Sequence, residues 1–515
     1  MLNKKRNEIK KITLTIGAAL IMGHGIAMAQ IPNVFEISDV DGNNGFVING
    51  VDNNAGIGMY VSDAGDFNND GIADLFIAAA QGKNYLIFGQ TGGLPSPFNL
   101  LSVDGGNGII INSPVNASAI GKAGDINGDG IDDVVIGTST ADPILTGKAY
   151  VVFGSGQPLA QSLNLSALDG SNGFVIEGID FDDRAGISVG SAGDFNNDGF
   201  EDVIIGASMV DNGEFNNGAS YVIYGTDQGF TESIELSDIN GSNGIAIYGV
   251  SAQERSGTDV AYGGDINGDG ISDLIIGAPE AGPNGMNSGR SYVVFGGQNL
   301  PQPYMLSSLN GSNGFAINGV GTFDFSGHAV SSAGDMNGDG FDDVLIGAYG
   351  ADPFGHSGAG ESYVVFGSGS AFPAAFELSD LDGNNGFTIT GINQFEESGF
   401  AVSAAGDVNG DGFSDIQIGA PEANNNGRSY LVYGRSEGFP NPFEMFPIPV
   451  GQGSRIEGRS FDRFGSTMSK AGDFNNDGVD DFIIGGPGNS TNGTGSGTAY
   501  IVYGNDTVFT SSFDE

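Results

Sequence analysis

The 515-residue sequence has no cysteine, no tryptophan and only three histidines. Basic residues are scarce, with 17 Lys and Arg against 63 Asp and Glu, a formal net charge of −46. Without thiols there is no disulfide framework and no thiolate chemistry. A chain this long builds a large core and needs no such staples. The charge excludes nucleic acid as a natural partner and places the folded chain under strong self-repulsion.

Long apolar runs are also absent beyond the N-terminus. Residues 1–29 read as a cleaved Sec-type signal peptide. Lys4, Lys5, Arg6, Lys10 and Lys11 form its basic region, Ile12 to Met22 its mostly apolar region, and Ala27-Met28-Ala29 its cleavage site. The mature chain is expected to start at Gln30, to carry no transmembrane segment and to be exported, to the periplasm, the cell surface or the medium. Its charge falls to about −50, because the leader holds five basic residues and Glu8.

What is present in excess is one acidic loop, repeated seven times between residues 30 and 515, at 66–74, 125–133, 194–202, 265–273, 335–343, 407–415 and 473–481. Position one is Asp66, Asp125, Asp194, Asp265, Asp335, Asp407 and Asp473. Position three is Asn68, Asn127, Asn196, Asn267, Asn337, Asn409 and Asn475. Position five is Asp70, Asp129, Asp198, Asp269, Asp339, Asp411 and Asp477, followed by glycine. Position seven is Ile72, Ile131, Phe200, Ile271, Phe341, Phe413 and Val479, able to offer a backbone carbonyl. Position nine is Asp74, Asp133, Asp202, Asp273, Asp343, Asp415 and Asp481. Hard cations such as Ca²⁺ take six to eight oxygen ligands, and this is an all-oxygen set on a tight turn. The glycine allows the positive φ of the turn.

An Asn-Asp-Gly hairpin turn explains the glycine and one or two polar residues. It does not explain three Asp and an Asn at fixed offsets, because clustered carboxylates repel. Mg²⁺ fits less well, since it demands strict octahedral geometry and keeps its waters. An EF-hand needs Glu at position twelve. Here that position is Ile77, Ile136, Ile205, Ile276, Ile346, Ile418 and Ile484. The loops are therefore expected between two β-strands, binding up to seven Ca²⁺.

The loops recur every 59 to 72 residues, and each sits in the same unit. An Asn-Gly-rich strand such as Phe376–Gly391 comes first. A small-residue strand (Gly399–Gly406), the loop, a buried strand (Ile416–Ala420) and a last strand (Ser429–Gly434) follow. Four short strands per repeat without helical periodicity predict an all-β, seven-bladed β-propeller with four-stranded blades. The chain begins with one strand class and ends with another. The first Asn-Gly-rich strand (35–50) is therefore expected to complete the blade formed by 466–504 and to close the ring.

With Phe464-Gly465, Gly277-Ala278-Pro279 and Gly419-Ala420-Pro421 in place, the chain resembles the FG-GAP repeat propeller of integrin α-subunits over residues 31–504. It departs in carrying the acidic loop in all seven repeats and in lacking an inserted domain, leg domains and a membrane span. Repeat one departs furthest, with Ala78-Ala79 where Gly-Ala is expected. The resemblance implies calcium loops on the lower face and ligand contacts on the upper face. The upper face would comprise 209–217, 280–288, 349–360 and 488–497, with the links 182–184, 253–255, 323–325, 395–397 and 461–464. Phe and Arg in these links could equally pack between blades. The functional expectation is a secreted, calcium-dependent binding or adhesion module for an extracellular protein or glycan. The alternative is a polysaccharide-active enzyme of lyase or glycosidase type. No catalytic constellation is visible: His328 and His356 have no evident base partner, and most carboxylates are accounted for by the loops.

Overall fold

The computed structural model describes residues 34–140 and 145–504; the expected signal peptide, residues 1–29, therefore lies outside the described residues. Seven antiparallel sheets are arranged as blades around a ring. Blade 5 shows the order: an inner strand Ala329–Gly334, then Asp343–Ala348, then a third strand Glu361–Val365, then an outer strand Gly386–Thr390. The second strand is buried along its whole length, as in Asp343–Ala348. Its Val, Leu and Ile side chains pack against a neighbouring sheet on either side. Seven apolar clusters result, each shared by two adjacent blades. The last of them joins blade 7 to blade 1 through Phe46, Phe474, Ile483 and Ile501 against Leu75, Ile77 and Ile87.

The Asn-Gly-rich element is not one strand. It splits into a short strand, one 3₁₀ turn and a longer strand, as in Ala375–Glu377, Leu378–Asp380 and Gly386–Thr390. The head adds in parallel to the outer edge of the preceding blade, and the tail is the outer strand of its own. Six blades therefore have five strands rather than four. The physical reason is edge protection: the parallel head covers backbone groups that a four-stranded blade would leave open.

Ring closure follows the expected route and adds a second contact. Gly45–Asn49 pairs antiparallel with Thr498–Val502, completing blade 7. Val34–Glu36 pairs in parallel with Gly453–Glu457, capping blade 6. One N-terminal element thus fastens two C-terminal blades.

The paired glycines of the repeat mark where blades touch. The Gly327 N–H donates to the Gly347 carbonyl within blade 5, at 3.0 Å. The Gly327 carbonyl also faces blade 4, where a Cβ on Gly277 would lie 2.1 Å from it. Backbone cannot give way there as a flexible side chain would. Gly277→Ala is expected to cost about 1–3 kcal/mol or more by overpacking, read as a lowered denaturation midpoint. An unchanged midpoint would mean the blades slide freely.

Candidate metal loops and the opposite loop face

Each acidic loop joins an inner strand to the second strand. A register shift, as between Ser332 and Gly334, turns the chain out of the sheet just before it in all seven blades. The glycine at position six has positive φ throughout, from 82° at Gly270 to 96° at Gly199. Position four is left-handed too: Asn69, Asn197 and Asn476 adopt it, and Gly128, Gly268, Gly338 and Gly410 fill the other loops. That alternation of Asn and Gly is the visible trace of a backbone requirement at a second position.

The structure places the expected loop residues together in every blade. The position-one carboxylate accepts the amide of position five at 2.9–3.1 Å and of position six at 2.8–2.9 Å. Position five accepts the amide of position seven at 3.0–3.1 Å. Position nine is fully buried. One of its oxygens accepts the amide of position two at 2.9–3.2 Å. The other accepts the amide of a glycine after the third strand, such as Gly89 or Gly504, at 2.8–3.1 Å. It thereby ties the loop to the far side of the blade.

Among the described residues no three carboxylate or imidazole groups already converge as a closed cage. The donor set nevertheless fits a hard cation on two observations. Burial, reinforced by the charges at positions five and one, raises the carboxyls of Asp74, Asp133, Asp202 and Asp273 to about 8, despite their amide bonds. The same causes hold Asp343, Asp415 and Asp481 well above the usual carboxylate range. In addition, the side-chain oxygens of Asn196 and Asn475, both at position three, are buried without a hydrogen-bond donor. Such an oxygen costs about 1–3 kcal/mol unless something satisfies it.

The sequence reading missed position eight. Asp132 accepts the amide of Asp66 in the preceding loop at 2.8 Å, and Glu201 that of Asp125 at 3.2 Å. Asp342 and Asp480 do the same for Asp265 and Asp407, at 2.8 and 2.9 Å. Lys122 pairs with Asp132 at 2.7 Å. The loops are thus coupled from blade to blade. Position eight is Ala73, Ser272 or Ser414 in the other repeats, so no sequence signal marked it.

The opposite face carries the loops between second and third strands. The residues 253–255, 323–325 and 395–397 each divide the same way. The outer two residues of the triplet have positive φ (Gln253 and Arg255, Phe323 and Phe325, Phe395 and Glu397). The middle acid, Glu254, Asp324 or Glu396, is buried. Glu254 accepts the Tyr292 hydroxyl at 3.2 Å and Glu396 accepts that of Tyr430 at 3.4 Å. Asp462 in the last link accepts Tyr500 at 2.7 Å. These middle acids are structural, as is Phe464, which packs edge-on to Tyr500 at 5.5 Å. Burial raises the Asp183 carboxyl of the second link to about 6.

The first residue of each triplet faces solvent beside the loop of the preceding blade, while Arg255, Phe325 and Glu397 are half-buried. The Gln253 amide donates to the Phe215 carbonyl, that of Phe323 to Met286 and that of Phe395 to Ser357. Phe215, Met286, Phe323, Phe354, Phe395 and Phe461 are all exposed, with Phe461 75% accessible. His356 is exposed and its Nδ1 lies 3.0 Å from the Ile392 carbonyl. His328 lies just before its inner strand, among Tyr349 and Phe400, and burial lowers its pKa.

The FG-GAP repeat family model matches residues 185–223, 256–294, 326–365, 398–432 and 464–502. Each stretch runs from a blade link through a third strand, in blades 3 to 7. The chain is an FG-GAP repeat propeller of the integrin-α-like kind. Bovine phosphatidylinositol-glycan-specific phospholipase D is 31% identical over 42% of this chain and 24% of its own length. Integrin alpha pat-2 of Caenorhabditis elegans is 27% identical over 48% and 20%, and chicken integrin alpha-V 28% over 44% and 20%. Among solved structures, a chain from the complex of BBS1N with ARL6DN covers 89% of this chain and 95% of its own at TM-score 0.42 and 10% identity. The FG-GAP chain spans less than a third of the length of the curated relatives it matches. No helix among its described residues is long and apolar enough to cross a membrane.

Proposed function

We propose that this FG-GAP propeller is an exported binding module, loaded with Ca²⁺ on the acidic-loop face and meeting an extracellular protein or glycan on the opposite face. The observation that carries the binding role is the crown of exposed aromatic side chains on hydrogen-bonded loops of blades 3 to 7. Aromatic groups on a rigid scaffold are costly to leave in water and are enriched at interaction hot spots. The acidic loops supply rigidity at the other end, with positions one, three, five, seven and nine as the ligand set. Export rests on the leader-like residues 1–29.

A second reading, an enzyme, is favoured only by the relatives named as phospholipase D, which match over a fraction of their length. Among the described residues neither His328 nor His356 is paired with a carboxylate; their ring nitrogens face the Phe400 and Ile392 carbonyls.

The test is retention of the chain from Gln30 to Glu515 on immobilised polysaccharides and matrix proteins in Ca²⁺, with released product recorded together. Retention without product, lost when Phe395→Ala and Phe461→Ala are combined, is the expected result. Each anchor is expected to contribute about 1–2 kcal/mol, a combined loss of about 30-fold or more. Sustained product would favour the enzyme, and undiminished retention in the double variant would place the ligand elsewhere.

A further inference from the structure

The upper outer corner of a blade is formed by the first residue of the third strand and the last residue of the outer strand. In four blades a cation stands there, and in blade 1 it is Lys83, in register with Asn112. Lys148 pairs with Glu177 at 2.7 Å in blade 2. Arg428 pairs with Glu457 at 3.0 Å in blade 6. In blade 4 Arg290 donates to Asn318 at 2.8 Å, and Asn318 to Glu377 at 2.7 Å. The two arginines also lie 5.8 and 5.6 Å from the rings of Tyr292 and Tyr430 on their own strands.

Blades 3 and 7 hold Ala219 and Thr498 at this corner, and blade 5 is the one blade that holds an acid there. Its corner residue is the acid Glu361, and the residue in register with it is Thr390. One Glu361 oxygen accepts the Tyr363 hydroxyl at 2.6 Å. Among the described residues no cation pairs with Glu361; all nine ion pairs lie elsewhere. Burial and the nearby Asp324 raise its carboxyl, which is the behaviour of an acid without a counter-charge. Beside it is an open pocket of about 280 Å³, whose walls include Glu361, Tyr363, Thr388, Thr390, Leu381 and the exposed ring of Phe354. The corner thus offers an acceptor and a ring where blades 1, 2, 4 and 6 hold a cation.

We propose that this pocket binds a small organic cation, an ammonium or amidinium-type head on an apolar body. The head sits against Glu361 and Tyr363, standing in for the Lys or Arg side chain that blades 1, 2, 4 and 6 supply themselves. The body lies between Phe354 and Leu381. The head belongs either to a free amine or to a Lys or Arg side chain of a bound peptide; the chemistry is shared. The site is separate from the acidic loops and shares only Phe354 with the aromatic crown.

The probe is benzamidine, with neutral benzamide as its control, titrated calorimetrically into the full chain in Ca²⁺. Saturable single-site binding at about 1 mM or tighter is expected, with benzamide at least tenfold weaker. Glu361→Gln removes a charge-assisted contact worth about 1.5–3 kcal/mol, so affinity is expected to fall about 10- to 100-fold. The pair Glu361→Arg with Thr390→Glu rebuilds the blade 6 arrangement and is expected to abolish binding while leaving the protein folded. Phe354→Ala, on an exposed loop, weakens binding without touching the fold. Displacement of benzamidine by an amidated Gly-Arg-Gly peptide assigns the head to a peptide side chain; displacement by agmatine alone assigns it to a free amine. No saturable binding to the wild-type chain, or equal affinity in Glu361→Gln, overturns the proposal.

Discussion

Chelating divalent cations from the folded propeller is expected to lower its thermal midpoint by about 20 °C. A ligand bound only to the native state at 100 times its Kd contributes about 2.7 kcal/mol per site. The seven proposed sites would act on a chain whose unfolding entropy, at about 2 cal/mol/K per residue, is near 1 kcal/mol/K. The pH dependence of the effect has a definite sign. In the cation-free protein the position-nine carboxyls of Asp74, Asp133, Asp202 and Asp273 are held at about 8, against 3.8 for a free aspartate. A folded-state pKa raised above the unfolded one gives stability that is full below the unfolded value and lost as pH rises through the folded value. The chelated protein therefore weakens progressively from about pH 4 to pH 8. A cation needs the ionised carboxylate, so its binding releases protons and tightens over the same range. Calorimetry with and without chelator is expected to show a gap in midpoint that widens from acid to alkaline pH. A gap that stays constant, or no gap, would remove the cation from these loops.

Deleting residues 34–49 is expected to have the next largest effect. Phe35, Ile37, Val40, Phe46, Val47 and Ile48 are all buried. At about 1.5–3 kcal/mol for each large apolar side chain, their loss removes about 9–18 kcal/mol of burial. It also strips blade 7 of its outer strand and blade 6 of its edge strand, leaving two open edges that invite association between chains. The milder Phe46→Ala is expected to cost about 3–5 kcal/mol, because the ring sits among Phe98, Phe474 and Tyr503 at 5.4–6.5 Å. Denaturant titration and light scattering measure both. A truncated chain that stays monomeric with an unchanged midpoint would show that the ring does not depend on its N-terminal clasp.

Much of this was legible from residue order alone. Seven loops with side-chain oxygens at fixed offsets, and glycine where φ is positive, are local facts: each depends on residues within nine positions of one another. The blade count and the closure by residues 35–50 followed from repetition, since a chain that starts with one strand class and ends with another has only one way to leave no edge. What the tertiary structure decided lies between repeats. Asp132 caps Asp66 in a different blade, and the head of each Asn-Gly-rich element crosses to the previous blade. The link residues divide into a buried acid between an exposed and a half-buried neighbour because the chain bends twice through left-handed φ. The corner of blade 5 carries an acid without a counter-charge among the described residues because Glu361, not Lys or Arg, faces Thr390 across the sheet. Partners some 30 to 80 residues apart are chosen by strand register and by the rotation of one blade on the next. A periodic sequence repeats the same residue types at every candidate site, so it specifies the unit without specifying which copy each side chain will touch.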